Sequence, residues 1–469
     1  MTDTTNRSKK FLKSIGIYAI GNIGSKLITF LMIPLYTFFV DTAEFGYYDL
    51  CLSAVLLLAT ASSLQLRDGA FRFLVDCRTD SDRTAVISLS LKILSKSLLV
   101  FLLLAIATSF IHPVRCLWLS FALMLSIVLL EIVGQMARGI GETKTFVASN
   151  IISALFVGIF SVIFVALFHW GITGIFLANI LARVTAILFI ELRTRLLRRH
   201  FSPRFVNRQL TKEILRYTLP ILPGVMCWWF MQNSDRFFIQ HYLSLSDNGI
   251  YAVTVRFTTV LQIIGTIIFQ AWQETALQQY NSPDRDKFFS EIFNSYIKFM
   301  APLIVAFGFG LRFAYPWLVN ENYQSGHVFL FPLAFGAALF SMAQFLEMGY
   351  QCAKETGRAI PAITLAAVTD LVLNFLLIGR YGLYGVVAAA VTAYIVLLVY
   401  RIIDSRRYMK LKLEHSSMVA IMLTMAGFAV FYLTNSPITD FLITVLSLVL
   451  IVTWAPESLR HKLGLCRKA

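Results

Sequence analysis

Residues 248–273 read NGIYAVTVRFTTVLQIIGTIIFQAWQ, an apolar run long enough to cross a bilayer as a single helix. Arg256 lies inside this run, about eight residues from its start, and it begins a polar stripe at helical spacing. The other members of the stripe are Thr259, Thr266, Gln270 and Gln273. Because a guanidinium group is costly in hydrocarbon, such a residue normally faces a water-filled cavity or a partner. The run therefore predicts a membrane helix with one polar, cationic face toward an interior that attracts anions.

The rest of the chain also has the composition of a membrane protein. Hydrophobic residues make up 57% of its 469 positions and charged residues 14%, and the mean hydropathy is +0.70. Soluble domains have no reason to contain repeated apolar runs of about 20 residues. Such runs lie at residues 12–38, 45–66, 86–111, 116–137, 146–168, 171–192, 214–240, 248–272, 288–313, 327–352, 359–379, 382–403, 414–433 and 437–455. The sequence therefore predicts an all-α polytopic membrane protein with about 14 transmembrane helices.

Basic residues are concentrated in alternate loops. These loops are residues 67–83, 138–144, 193–212, 285–287, 354–358 and 401–412, with a basic tail at 460–468. The loops between them are almost bare of Lys and Arg. By the positive-inside rule, both termini are predicted to be cytoplasmic and the number of spans to be even. The net charge of +15 is thus largely a topology signal that also suits anionic lipid headgroups, and the sequence contains no nucleic-acid-binding module.

Short motifs recur about two hundred residues apart. Residues 171–174 (GITG) match 382–385 (GLYG), and 141–144 (GETK) match 354–357 (KETG). Their common order and similar offset indicate two repeats in parallel orientation, because each repeat contains an even number of spans. We therefore predict two six-helix lobes and an additional two-helix segment with a basic tail. Their boundaries are 1–200, 201–405 and 406–469.

Three cations fall inside predicted spans and are the candidate substrate-binding residues: Lys26, Arg183 and Arg256. Their convergence on one cavity would explain all three, and an anionic substrate would be attracted there because a poorly hydrated cavity screens charge less than water does. Polar residues at helical spacing from them are candidates for the cavity lining, namely Asn22, Thr259, Thr266 and Gln270. The alternative for each cation is a structural ion pair or a side chain that reaches the interface.

Other residues are candidates for gating or structural roles. Pro220 and Pro223 interrupt span seven, and proline removes a backbone donor, so we expect a bent or locally open helix there. Asp235 and Arg236 lie near the end of that span, where an interfacial ion pair is the simplest interpretation. The remaining candidates are Glu131 and Glu347, at equivalent repeat positions, and Asp370, either a protonatable coupling residue or a partner in an interhelical hydrogen bond with Asn374.

The sequence has no arrangement typical of an enzyme. Its seven histidines are dispersed, its six cysteines lack metal-ligand spacing, and it contains neither a P-loop nor a catalytic nucleophile pattern. We therefore expect no catalytic residues, no cofactor and no metal. Any energy coupling is expected to come from a gradient, the membrane potential or consumption of the product.

Several motifs together resemble a known family. They are YAIGN at residues 18–22 after a basic start, PLY at 34–36, EFGYY at 44–48, NSDR at 233–236 and GIY at 249–251. This combination resembles the bacterial polysaccharide transporter family, which includes O-antigen flippases and belongs to the multidrug, oligosaccharidyl-lipid and polysaccharide exporter superfamily. The resemblance covers nearly the whole chain.

The resemblance implies two six-helix bundles around a central cavity, with two extra C-terminal helices. It also implies that an undecaprenyl-diphosphate-linked oligosaccharide is moved across the bacterial inner membrane by alternating access, for the biosynthesis of O-antigen, lipopolysaccharide or another surface polysaccharide. The implied partners are the lipid-linked oligosaccharide, membrane lipids, and polysaccharide polymerase or export proteins. Only the type of role carries over to Lys26, Arg183 and Arg256, because the family's cavity cations vary in position.

Two alternatives stay open. A cation-coupled multidrug exporter would share the fold, but it should favour intramembrane carboxylates over the mid-span cations found here. A membrane glycosyltransferase or polymer ligase would be an enzyme and would need a sizeable outer loop with catalytic polar residues, whereas every outer loop in this sequence is short.

Overall fold

The computed structural model of the chain describes residue 28 and residues 30–111, 113–202 and 205–454, and every element in these ranges is helical. Thirteen of the described helical stretches are long and apolar enough to cross a membrane. They are Thr42–Ser63, Asp80–Ile111, Leu117–Gly139, Thr143–Leu167, Gly171–Thr194, Arg208–Asn233, Leu245–Gln279, Arg285–Leu318, Glu321–Cys352, Gly357–Tyr381, Leu383–Ser405, His415–Leu433 and Pro437–Trp454. Each overlaps one of the last thirteen predicted spans, so the predicted multi-pass membrane protein is confirmed. The first predicted span, 12–38, lies mostly outside the described residues.

The described residues form two compact units. The amino-terminal unit covers residues 28–240 and the carboxyl-terminal unit covers residues 241–454. The helices of the amino-terminal unit are α1 (Phe30–Phe39), α2 (Thr42–Ser63), α3 (Leu66–Asp76), α4 (Asp80–Ile111), α5 (Leu117–Gly139), α6 (Thr143–Ser161), α7 (Gly171–Thr194), α8 (Leu196–His200), α9 (Arg208–Thr218), α10 (Leu222–Asn233) and α11 (Asp235–Tyr242), which ends just past the unit boundary. A π-helical segment, Val162–Leu167, extends α6. Within this unit α5 packs against α2, α3 and α7.

The carboxyl-terminal unit contains the remaining helices. They are α12 (Leu245–Gln279), α13 (Arg285–Leu318), α14 (Leu330–Cys352), α15 (Ile360–Tyr381), α16 (Leu383–Ser405), α17 (His415–Leu433) and α18 (Pro437–Trp454), with 3-10 helices at Glu321–Phe329 and Thr356–Ala359. Helix α14 packs against α12 and α16, and α13 packs against α17 and α18. The two C-terminal helices that fall outside the repeat are therefore held on α13.

The Gly-x-x-Gly motifs of the repeat have the same backbone role in both units. Gly171 begins α7 with φ +53 and Gly382 precedes α16 with φ +58, a left-handed conformation that glycine adopts without steric cost. The second glycine of each motif packs against the preceding helix. A Cβ on Gly174 would lie 3.0 Å from the carbonyl oxygen of Phe164, and a Cβ on Gly385 would lie 2.6 Å from that of Leu377. Each motif thus allows two antiparallel helices to approach closely.

The second repeated motif ends a helix in the same way in both units. Gly141 and Lys354 occupy matching positions after α5 and α14, with φ +97 and +61. The N–H that follows each of them donates to a carbonyl five residues earlier, from Glu142 to Ala137 and from Glu355 to Tyr350, at 2.9 Å in both cases. This pattern is a Schellman helix end, which requires a left-handed residue. Lys354 adopts that conformation although it is not glycine.

Span seven is divided where the prolines predicted an interruption. Leu219–Ile221 form a 3-10 turn between α9 and α10, and Pro220 lies within it. Helix α9 packs against α3, and α10 packs against α2, so residues 208–240 belong to the amino-terminal unit by their contacts. The sequence repeat assigns the same residues to the second lobe. The lobe boundary at residue 200 stays a prediction about the repeat.

A buried ion pair fixes the last two helices. Arg312 of α13 donates from Nε to Asp440 Oδ2 of α18 at 2.8 Å and from a second nitrogen to Oδ1. It also donates to the carbonyl oxygen of Phe431 at the end of α17 and lies 4.1 Å from the centre of that ring. Breaking a buried pair of this kind leaves an uncompensated charge in an apolar interior. Arg312 is thus a structural residue.

Candidate functional site

The amino-terminal unit contains a cleft with polar and aromatic walls. Its volume is about 190 Å³, below the range of about 300–1,000 Å³ that is usual for whole ligands, so it suits one group of a larger ligand. The lining residues come from α2, α3, α5 and α10 and the break between α2 and α3. They are Leu56, Ala59, Thr60, Ser63, Gln65, Arg67, Ile127, Glu131, Val225, Trp228, Trp229 and Asn233.

An ion pair lies in the wall of this cleft. Arg67 Nη1 is 3.1 Å from Glu131 Oε2, and the two side chains are 35% and 42% exposed. Arg67 is placed by a break between α2 and α3, where Leu64 and Gln65 have φ +48 and +54. Two consecutive left-handed residues without glycine are strained, and such strain is common at functional sites. The break turns the chain so that Arg67 contacts α5, which begins 50 residues later in the sequence.

Arg183 lies inside the same unit, on α7. Its Nη1 donates to the carbonyl oxygen of Asn179 at 2.7 Å and to Asn179 Oδ1 at 3.0 Å. The amide of Asn179 in turn donates to the hydroxyl of Tyr48 at 3.4 Å. Glu131 is an electrostatic neighbour of Arg183 as well as the ion-pair partner of Arg67. Arg67 also lies 3.6 Å from the carboxylate of Asp68. Glu131 thus pairs with Arg67 and adds its negative charge to the surroundings of Arg183.

Further polar contacts anchor α10 and α11. The indole nitrogen of Trp229 donates to the carbonyl oxygen of Ser53 on α2 at 3.1 Å. Arg236 Nε is 3.2 Å from Asp49 Oδ2 on α2, with both side chains under 10% exposed. Arg236 is thus part of a buried ion pair with another helix. Asp235 is also buried.

The polar stripe that begins at Arg256 lies on the less buried face of α12 in the carboxyl-terminal unit. Arg256, Thr259 and Gln270 are half-buried and Thr266 is exposed, whereas Phe257, Leu261 and Trp272 on other faces are fully buried. The hydroxyls of Thr259 and Thr266 donate to carbonyls of their own helix, those of Val255 and Gln262. At the end of the stripe, Gln273 donates to Gln351 at 2.7 Å. The stripe is a polar helix face outside the apolar core of its unit.

The carboxyl-terminal unit holds the other predicted carboxylates. Glu347 Oε2 is 3.1 Å from Arg401 on α16, and Arg401 also donates to the carbonyl oxygen of Ala343 at 2.8 Å. Asp370 and Asn374 are both fully buried on α15. The coupling and hydrogen-bonding roles considered for Asp370 stay predictions.

The remaining predicted site residues have different outcomes. Lys26 and Asn22 lie outside the described residues. Arg183 and Arg256 belong to different units, so the convergence of the three cations on one cavity stays a prediction. Pro220 and Pro223 lie at the interruption of span seven, and their gating role is likewise a prediction. Within the described ranges, no group of His, Cys, Asp and Glu residues could hold a metal ion.

The family of the chain is identified by a match over residues 11–273, which are more than half of the chain. This segment matches the family model described as "Polysaccharide biosynthesis protein". The chain belongs to this polysaccharide biosynthesis protein family. The family resemblance found in the sequence motifs is confirmed. No curated protein matches the chain in sequence.

The fold of this family member is similar to solved transporter structures. The lipid II flippase MurJ, in an inward closed conformation, has a TM-score of 0.74 at 12% identity, over 96% of this chain and 99% of that chain. An inward-facing multidrug resistance MATE family transporter of the MOP superfamily has a TM-score of 0.56 at 17% identity, over 91% and 96%. The Vibrio cholerae MATE transporter VcmN has 0.54 at 15% identity, over 87% and 98%. The predicted fold class is therefore confirmed.

The sequence analysis does not identify three members of the ion pairs in this family member. It places Arg67 and Arg401 in basic loops and gives Asp49 no role. Each Glu of the repeat has a cation seven residues later in sequence, but the structure pairs Glu131 with Arg67 and Glu347 with Arg401. No local spacing could reveal these pairs, because their members lie on separate helices. The unusual density of polar residues at Ser62, Ser63 and Gln65 is the only sequence signal near the α2–α3 break.

Proposed function

We propose that the protein is a flippase that moves an undecaprenyl-diphosphate-linked oligosaccharide across the bacterial inner membrane for surface polysaccharide or O-antigen biosynthesis. Family membership supports a substrate from polysaccharide biosynthesis. The likeness in fold to a structure named as a lipid II flippase supports a lipid-linked substrate. Both termini are cytoplasmic in this proposal, in keeping with the basic loops.

The observation that carries the proposal is the charge inside the amino-terminal unit. Arg183 and Glu131 lie on membrane-spanning helices and influence each other electrostatically. Glu131 pairs with Arg67 at the start of α3, beside a cleft with Trp228 and Trp229 in its wall. Charged residues within membrane spans are expensive and mark substrate or ion pathways. A diphosphate can replace the carboxylate as the partner of an arginine, since guanidinium binds phosphate in a two-pronged geometry. The indole rings suit the apolar faces of a sugar.

We propose that transport occurs by alternating access. The diphosphate and oligosaccharide need a hydrated, cationic path, while the polyprenyl tail stays in the bilayer. Arg256 and Lys26 contribute positive potential to the path in this proposal, and the polar stripe of α12 provides hydrogen-bonding groups along it. The 3-10 turn at Leu219–Ile221 is a hinge in this proposal, because short loops between helices absorb backbone rotation.

A second candidate function is cation-coupled export of small molecules. The fully buried Asp370 and Asn374 on α15 favour it, because intramembrane carboxylates are typical of ion-coupled transport. The fold similarity to MATE transporters is also compatible with it.

The two candidates are separated by deleting the gene in its native cells. The proposal predicts loss of the surface glycan and accumulation of the lipid-linked precursor on the cytoplasmic leaflet, both restored by the wild-type protein. Susceptibility to cationic drugs should be unchanged. Increased drug susceptibility with normal surface glycan would instead establish the exporter function.

A further inference from the structure

The amino-terminal unit has a second cavity, a groove of about 820 Å³ along α4 and α9. The following residues line it: Leu89, Lys92, Ile93, Ser95, Lys96, Phe205, Val206, Arg208, Thr211, Lys212, Leu215, Arg216 and Leu219. The groove is distinct in its lining from the cleft that contains Glu131. We call it the basic groove.

The walls of the basic groove are fixed by hydrogen bonds. The connection after α8 is held on α4, because Ser88 donates to the carbonyl oxygen of His200 at 3.2 Å and accepts from the N–H of Ser202 at 2.8 Å. One turn further along α4, Lys92 donates from Nζ to the carbonyl oxygen of Phe205. Helix α9 is capped by Asn207, whose side chain accepts from the N–H of Leu210 at 3.0 Å. The groove is thus a formed feature of the unit.

The groove has an uncompensated positive charge. Its lining includes five cations and no carboxylate: Lys92, Lys96, Arg208, Lys212 and Arg216. Among the residues that the structure describes, none of these cations forms an ion pair with an acidic side chain. On α9 the three cations recur every four residues and so lie on one face. Burial lowers the pKa of the nearby His200 ring below its ordinary value, so this ring is neutral at pH 7 and the charge comes from Lys and Arg alone.

The apolar part of the groove continues into the membrane-facing surface of α4. Leu89, Ile93, Leu215 and Leu219 line the groove, and exposed apolar side chains continue along α4 from Leu99 to Phe110, which is 87% exposed. Lys92 lies about 28 Å from Ile111 along the helix, at about 1.5 Å per residue. This distance is close to the hydrocarbon thickness of about 30 Å. If Ile111 lies at one membrane surface, the cations of α4 lie at the level of the opposite headgroups.

We propose that the basic groove binds an anionic glycerophospholipid of the surrounding leaflet. The phosphate lies among the Lys and Arg side chains, and the first part of an acyl chain lies against the leucine and isoleucine side chains. Positive potential with an adjoining apolar wall matches a lipid headgroup, whereas a free phosphate would leave that wall without a partner. Basic pockets of this kind on the cytoplasmic side of membrane proteins bind anionic headgroups. This inference goes beyond the proposed transport function and does not depend on it.

The test measures lipid binding to the full-length protein purified in a neutral detergent, with no transport step. The probes are phosphatidylglycerol, phosphatidylcholine, inorganic pyrophosphate and undecaprenyl diphosphate, and the readouts are native mass spectrometry and the shift in melting temperature. Phosphatidylglycerol should bind the wild type and raise its melting temperature, and phosphatidylcholine and pyrophosphate should bind at least about tenfold more weakly. Any binding of undecaprenyl diphosphate should be unchanged by variants of the basic groove, because its proposed site is the cleft. The triple variant R208Q, K212Q, R216Q should bind phosphatidylglycerol about 100-fold more weakly, as expected for three cations at a membrane surface.

Matched variants distinguish binding in the basic groove from a general effect of positive surface charge. The triple variant K144Q, R406Q, K410Q removes the same number of exposed cations elsewhere and should bind phosphatidylglycerol as the wild type does. The milder variant K96Q, K212Q should lose about 30-fold in affinity and serves if the groove triple variant does not fold. Equal weakening in the groove and control triples would overturn the proposal. So would stronger binding of pyrophosphate, or of undecaprenyl diphosphate, than of phosphatidylglycerol in the groove.

Discussion

The two units use the same glutamate of the repeat in different ways. Glu131 and Glu347 occupy matching positions on α5 and α14, but each pairs with an arginine that has no counterpart in the other unit. In the amino-terminal unit the partner, Arg67, is 35% exposed and opens onto the cleft. In the carboxyl-terminal unit the partner, Arg401, is 3% exposed and also donates to a backbone carbonyl.

The difference in burial gives the two pairs different energetic consequences. An exposed pair is screened and contributes about 0–1 kcal/mol, so either member can exchange its partner at little cost. Removal of one member of a fully buried pair costs about 3–5 kcal/mol, because the other charge is left without compensation. The cost is lower for the pair of the buried Arg401, because its partner Glu347 is 32% exposed. The partner of the carboxylate thus lies beside a cleft in one unit, whereas in the other unit it is buried between helices.

The largest effects on stability are expected for Arg401→Gln and Arg236→Gln. Arg401→Gln leaves the carbonyl of Ala343 and the carboxylate of Glu347, which is 32% exposed, without their cationic partner, and we expect a loss of about 2 kcal/mol in the free energy of unfolding. Thermal or denaturant unfolding in detergent measures this. Arg236→Gln, which breaks the buried pair in the amino-terminal unit, should cost more, about 3 kcal/mol, because it leaves the buried Asp49 without its partner. A loss below about 0.5 kcal/mol for Arg401→Gln would contradict the stabilising role of Arg401.

A much smaller effect on stability is expected for Arg67→Gln. The change should cost less than about 1 kcal/mol, because water screens this pair. It should nevertheless weaken transport of the lipid-linked substrate, since it removes a cation from the cleft. The control is Arg72→Gln, which breaks an exposed pair with Asp76 away from the cleft and should change neither stability nor transport. Normal transport by Arg67→Gln would show that this ion pair does not contribute to substrate binding.

The span pattern was predictable because it depends on local composition. Thirteen predicted spans each overlap a described helical stretch, and the first glycines of the two Gly-x-x-Gly motifs, Gly171 and Gly382, both have positive φ angles. The interruption of span seven was also predictable, because proline acts on its own helix.

The ion-pair partners were not predictable, because they depend on long-range packing. Arg67 was assigned to a basic loop, and only the left-handed pair Leu64 and Gln65 places its side chain in the cleft. Neither residue is glycine, so the sequence carries no ordinary signal for this conformation. Likewise, the sequence predicts an interfacial ion pair at Asp235 and Arg236, but only the packing of α10 on α2 reveals that Asp49 is a partner of Arg236.

The central claim, that interior cations carry a diphosphate lipid, is tested most directly by the double variant Arg183→Gln, Arg256→Gln in native cells. We predict stable insertion, a decrease of at least about tenfold in surface glycan, and precursor accumulation on the cytoplasmic leaflet, because positive potential is lost from the path. Arg183→Lys, Arg256→Lys keeps the charge and should export more glycan than the Gln variant. The control Arg406→Gln, Lys410→Gln should export normally. Normal glycan export by the inserted Arg183→Gln, Arg256→Gln variant would contradict the account.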